Sequence, residues 1–150
     1  MNELSKVIIN DFIKMTERVA NGKTNVLDFG TAEMTFYRGE IHILKMVGDH
    51  PGIFISEMAR NFNITRAVVA KTVKKLEKRG LLTKETDCDD KKRLRLYLTD
   101  KGQQAHALHN TYHQQYDQPL FSYLAGLNDH DLQIIREFLK RANQLIENHF

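Results

Sequence analysis

His109 and His113 stand four residues apart, so on a helix both imidazoles project from one face, and two side chains at that spacing can share a metal ion. With His106 they place three of the chain's seven histidines within eight residues. Chance placement and ordinary polar contacts compete with the metal reading. His42, between Ile41 and Ile43, reads on its own as a core histidine with a satisfied hydrogen bond. A second chemistry is electrostatic. From Arg60 to Arg95 there are 12 Lys and Arg against 5 Asp and Glu, whereas the rest of the chain holds 10 against 14. A solvated helix face intersperses both signs, so one-signed clustering points to a surface that binds phosphates.

These residues need a scaffold, and the chain supplies helices. Its 150 residues, 41% hydrophobic and 27% charged, suit one compact domain with its own core. Two Pro, 8 Gly and 1 Cys exclude collagen-like, linker and disulfide-framework classes. The start, Met1-Asn2-Glu3-Leu4-Ser5-Lys6, lacks a basic segment followed by an apolar one, and no apolar run approaches the ~18 residues of a membrane span. A soluble protein of the reducing cytoplasm, with no membrane partner, is expected.

Leu4, Ile8, Phe12, Met15 and Val19 draw one stripe along a helix over 4–20. Turn residues at 21–25 open an irregular stretch to about Met34. A second helix follows Thr35, with Tyr37, Ile41, Leu44 and Val47 at helical spacing, and Gly48-Asp49-His50-Pro51-Gly52 stops it. A short helix over 56–62 turns at Asn63 and Ile64 into a helix over 66–79, which Thr65 caps and Gly80 closes. Two strands, over 81–86 and 94–98, flank the polar tip at 87–93. Thr99 caps a long helix from Asp100 toward Ala125, which Pro119 should kink or interrupt. Asn128 caps a last helix carrying Leu132, Ile135, Phe138, Leu139, Ala142 and Ile146.

Short helix, turn, longer helix and two-stranded hairpin is the order of a winged helix-turn-helix, and here it coincides with the basic block. The fold class is therefore mainly α with a winged helix-turn-helix. The second helix of such a unit enters the major groove, which nominates Thr65, Arg66, Ala67 and Ala70, with Lys71 and Lys74 further along. Arg66 is the best base reader, because Arg forms two parallel hydrogen bonds to guanine O6 and N7, giving ~1–3 kcal/mol of discrimination. Thr65 and Lys74 suit phosphates. Val68, Val69, Val73 and Leu76 pack inward or at the flanks. The first and last helices carry apolar stripes that a small central unit cannot cover. They most simply cover each other in a homodimer, which then reads a palindromic operator with half-sites about one helical turn apart.

Ile55-Ser56-Glu57-Met58-Ala59-Arg60, Lys74-Lys75-Leu76-Glu77-Lys78-Arg79-Gly80-Leu81-Leu82, Asp90-Lys91-Lys92-Arg93 and Leu98-Thr99-Asp100-Lys101-Gly102 resemble the MarR-type transcriptional regulators. The likeness spans nearly the whole chain. It implies a single domain over 1–150, with 1–34 and 100–150 forming an intertwined dimerisation stalk and 35–99 a DNA-binding lobe. It also implies a wing-tip cation in the minor groove, here Lys92. The family usually has Arg at that place, and Arg93 beside it can share or replace the contact. The zinc-uptake repressor branch is similar in placing histidines at equivalents of His42, His109 and His113, with an acidic ligand from the irregular stretch, here Asp28 or alternatively Glu33. These donor types suit Zn²⁺, and nickel or cobalt would also fit. The implied function is a homodimeric repressor of transcription on double-stranded DNA, controlled by an effector at the junction of stalk and lobe. Zinc or a small aromatic or other organic ligand would serve as that effector.

Other readings are weaker. Cys88 has no basic neighbour immediately beside it and reads as incidental rather than as a redox sensor. Asp87, Asp89 and Asp90 do not make a calcium loop, because the places for its Gly and Glu hold Lys92 and Leu98; a turn-forming cluster fits better. A zinc-dependent hydrolase would leave the wing and basic helix unexplained, and no phosphate loop or nucleophile elbow appears. A winged helix that serves only protein contacts is the third class.

Overall fold

A computed structural model describes residues 1–22 and 26–149; the turn expected at 21–25 thus lies partly outside the described residues. The chain divides into two compact units, Met1–His109 and Asn110–Phe150.

In the first unit, α1 (Glu3–Ala20) starts at Asn2, whose side chain accepts a hydrogen bond from the Ser5 amide at 2.8 Å. Its predicted stripe is present: no α1 residue is buried, Phe12 is half-buried, and Leu4, Ile8, Met15 and Val19 are exposed. The stretch that follows is not irregular. β1 (Val26–Asp28) pairs antiparallel with β2 (Thr35–Tyr37), with Leu27 opposite Phe36 and both side chains buried. Strands of three residues are too short for alternation to show in sequence. α2 (Arg38–Asp49) therefore starts later than expected, and Tyr37 precedes it as an exposed cap residue. Glu40 reaches back to accept from the Tyr37 amide at 3.1 Å, which satisfies a free N–H at the helix start. Ile41, Ile43, Leu44 and Val47 bury its core face.

β3 (Ile53–Phe54), a two-residue strand absent from the sequence reading, leads into α3 (Ile55–Phe62). Asn63, at φ 53°, turns the chain in the left-handed region that Asn tolerates. Next comes α4 (Arg66–Lys78), with the Thr65 hydroxyl accepting from the Val68 amide at 3.3 Å. Gly80, at φ 72°, ends the helix, and the Leu81 amide returns to the Leu76 carbonyl at 3.0 Å. β4 (Leu82–Thr86) and β5 (Leu94–Leu98) form the expected hairpin, with β3 on the far edge of β5. Met58, Val69, Val73, Leu76, Leu81 and Leu96 are fully buried and make the core on which the helices and sheet meet.

The Thr99 hydroxyl donates to the Gly80 carbonyl at 2.6 Å and accepts from the Gly102 amide at 3.1 Å, starting α5 (Asp100–Ala125). Pro119 does not interrupt this helix. Proline removes one backbone donor, and the bonds of the remaining residues carry the helix past it. In the second unit, Asn128 caps α6 (Asp129–His149), accepting from the Asp131 amide at 2.9 Å. Tyr116, Phe121 and Tyr123 on α5, and Ile134, Leu139 and Leu145 on α6, are exposed. No helix among the described residues is long and apolar enough to cross a membrane.

Candidate nucleic-acid interface

Val69, Val73 and Leu76 recur at helical spacing and are fully buried, which fixes the rotation of α4 about its axis. Thr65, Arg66, Ala67, Lys71 and Lys74 are consequently exposed, and Ala70 is half-buried. Val68 also faces outward, at 51% exposure, so of the four apolar residues only three pack inward. The basic side chains of α4 thus project from a helix whose opposite side is anchored in the core.

The wing is built around one buried carboxylate. Asp87 accepts from Arg95 Nε at 2.7 Å through one oxygen and from the Asp90 amide at 3.1 Å through the other. Asp90 in turn accepts from the Lys92 amide at 3.0 Å. The acidic cluster therefore forms a turn, as its composition suggested. The Arg95 hydrogen bond holds the Asp87 carboxyl below the usual carboxylate range, against the opposing effect of desolvation, and Asp87 raises Arg95 in return. Arg95 also donates to the Gly52 carbonyl at 3.1 Å and lies 4.4 Å from the Phe54 ring centroid. Lys92, Arg93 and Cys88 are exposed.

Arg79 links the far end of α4 to the β1–β2 ribbon. It donates to Glu40 Oε2 at 3.1 Å and to the carbonyls of Glu33 and Thr35 at 3.1 and 2.9 Å, and its guanidinium lies 4.4 Å from the Phe36 ring centroid. Sequence reasoning counted Arg79 only as charge. Its partner Glu40 is 39 positions away, and no local pattern pairs residues at that distance.

The histidines are distributed over both units. His42 is half-buried on α2, and His109 is fully buried, its ring centroid 6.3 Å from that of Phe29. His113 belongs to the second unit, where its Nδ1 meets the Asp117 carboxylate. His106 Nε2 meets Asp49 Oδ1 at 3.0 Å. Asp28 accepts from the Gly30 amide at 2.8 Å and the Thr35 hydroxyl at 3.4 Å, and Glu33 lies 3.8 Å from Lys101. Among the described residues no three His, Cys, Asp or Glu side chains gather into a group able to hold a metal ion.

Comparison with known proteins agrees with the geometry of the basic lobe. The MarR family profile matches residues 36–94, from β2 to the start of β5. An HTH-type transcriptional regulator of Bacillus subtilis (strain 168), YhjH, is 33% identical over 93 residues, which are 62% of this chain and 53% of that protein. The transcriptional regulator AdcR of Streptococcus pneumoniae serotype 2 is 30% identical over 103 residues, 67% of this chain and 68% of its own. The crystal structure of Lactococcus lactis ZitR, described as a zinc-responsive MarR family member, superposes with a TM-score of 0.74 over 94% of this chain and 98% of that one, at 19% identity, a likeness of fold. These relatives are regulators and not enzymes. The winged helix-turn-helix, its one-signed charge and the match to AdcR place the chain in the MarR family of DNA-binding transcriptional regulators.

Proposed function

We propose that the protein is a homodimeric, sequence-specific repressor of the cytoplasm that reads an inverted-repeat operator through α4 and the wing. Residues 35–99 serve as the DNA-binding lobe, and 1–34 with 100–150 as the dimerisation helices. Arg66 reads a guanine; Ala67, Ala70 and Lys71 lie along the groove; Thr65 and Lys74 hold phosphates; Lys92 and Arg93 carry the wing's charge. The observation that carries this reading is the outward basic face of α4, set by the burial of Val69, Val73 and Leu76 beneath it.

The test is fluorescence anisotropy on a palindromic duplex selected from a randomised pool. Affinity should fall steeply with salt, and Arg66→Ala should cost ~1–3 kcal/mol of discrimination at one base pair per half-site. Binding that ignores sequence and Arg66 would refute the reading.

For the effector, the reading is zinc: His42, His109, His113 and Asp28 are of the donor types zinc takes, although among the described residues they form no closed group, and ZitR, whose fold the chain shares, is zinc-responsive. Glu33 is the alternative carboxylate. An effector that favours one arrangement of the dimer changes DNA affinity by the ratio of its own affinities for the two arrangements, typically ~5–150-fold. The resemblance implies tightening. Elemental analysis of the purified protein, with operator binding before and after chelation, tests it; affinity that ignores zinc would exclude zinc as effector while leaving DNA binding intact. A second reading is an organic effector. A cavity of about 630 Å³ in the first unit, lined by residues including Phe36, Tyr37, Glu40, Lys75, Lys78 and Arg79, has the size and the aromatic and charged walls for a small organic ligand.

A further inference from the structure

A cleft of about 180 Å³ separates the wing from the start of α4, lined by Phe54, Ser56, Arg66, Lys92 and Arg93 among others. We propose that this cleft seats one DNA backbone phosphate, held chiefly by Arg93, and that the minor-groove contact is left to Lys92. The assignment rests on the DNA-binding reading above and divides roles that the sequence left shared between two adjacent cations.

Arg93 does not extend from the wing tip. Its guanidinium carbon lies 3.5 Å from the Phe54 ring centroid, a stacked contact that holds the side chain at the foot of the wing. Phe54 is a firm plate, because it is buried and paired with Arg95 across β3 and β5. A guanidinium stacked by its face still presents N–H donors along its edge, in the fork geometry that matches two phosphate oxygens. Arg95 lies over the same ring, but Asp87 matches its charge at 2.7 Å. Among the described residues, Arg66, Lys92 and Arg93 have no carboxylate within ion-pair distance, so the cleft keeps its positive charge for an incoming anion. Entry into the minor groove would require Arg93 to leave Phe54. Lys92 has no such tie: its amide is fixed to Asp90, and among the described residues its side chain lies over no ring.

The experiment compares wild type, Arg93→Gln, Lys92→Gln, Phe54→Leu and the Phe54→Leu/Arg93→Gln double variant. Each full-length protein is titrated across a NaCl series on the selected duplex, on versions with A·T or G·C at the flanks, and on a shuffled duplex. Arg93→Gln should weaken binding about equally on every duplex and lower the salt slope by about one per protomer. Lys92→Gln should instead alter the preference between A·T and G·C flanks. Phe54→Leu, checked by thermal melting, should reproduce part of the Arg93→Gln loss, and the double variant should lose little more than Arg93→Gln. An unchanged slope in Arg93→Gln, or a change in flank preference, would overturn the phosphate seat while leaving DNA binding in place. Failure of wild type to bind any duplex at low salt would overturn the DNA reading itself, and this assignment with it.

Discussion

Asp87 shows how one side chain sets the shape of a functional loop. Its two oxygens are divided between Arg95 and the Asp90 amide, so the wing tip closes around a carboxylate that must stay ionised. Because the Arg95 hydrogen bond lowers the folded-state pKa, the stabilisation is present above the unfolded value of ~3.9 and is lost as pH falls through the lowered folded value. Wing amide chemical shifts should therefore hold constant from pH 7 to about 5 and move only in stronger acid. Asp87→Asn should show the displaced shifts already at neutral pH. Shifts that move between pH 6 and 7 in the wild type would point to a different group. The exposed place of Arg66 at the start of α4 was legible in the sequence, because the Thr65 cap fixes where that helix begins. Asp87 was legible as part of a turn-forming cluster but not as the partner of Arg95, and the contacts of Phe54 and Arg79 were not legible, because they depend on partners that only folding brings near.

At the scale of elements, the strongest sequence signals were caps and apolar periodicity. Thr65, Gly80, Thr99 and Asn128 end or start helices as their types predict, because those side chains satisfy the free donors of a first turn or accept a positive φ. β1, β2 and β3 went unseen, since two or three residues carry no period and their stability comes from a neighbour rather than from themselves. One element contact is especially tight. A Cβ on Gly102 would lie 1.9 Å from the Leu81 carbonyl oxygen, which belongs to the backbone and cannot swing aside. Gly102→Ala should destabilise the fold by ~1–3 kcal/mol, read as a lower denaturation midpoint with an unchanged slope. A midpoint equal to wild type would show that α5 can shift freely at its start.

At the scale of the whole molecule, the exposed apolar residues decide the expectation. Leu4, Ile8, Met15 and Val19 recur along α1, and Ile134, Leu139 and Leu145 along α6, and all are exposed, so each helix presents apolar side chains to its surroundings. A second copy is the partner we propose for these faces. Sedimentation should give twice the chain mass, and Ile8→Glu should shift the protein toward monomer and weaken operator binding together. A wild-type monomer that binds the operator at full affinity would break this link.

The sequence by itself determined the helices, the turn between α3 and α4, the hairpin and the positive charge of that segment. Each of these follows from residues close along the chain, through periodicity, capping and local composition. Only the tertiary structure decided that the β1–β2 ribbon exists, that Arg79 ties it to α4, and that Arg93 lies against Phe54 while Lys92, among the described residues, lies over no ring. Those contacts join residues far apart in sequence, and they form because the buried core sets the distances and angles between elements. No local preference of the chain encodes those distances.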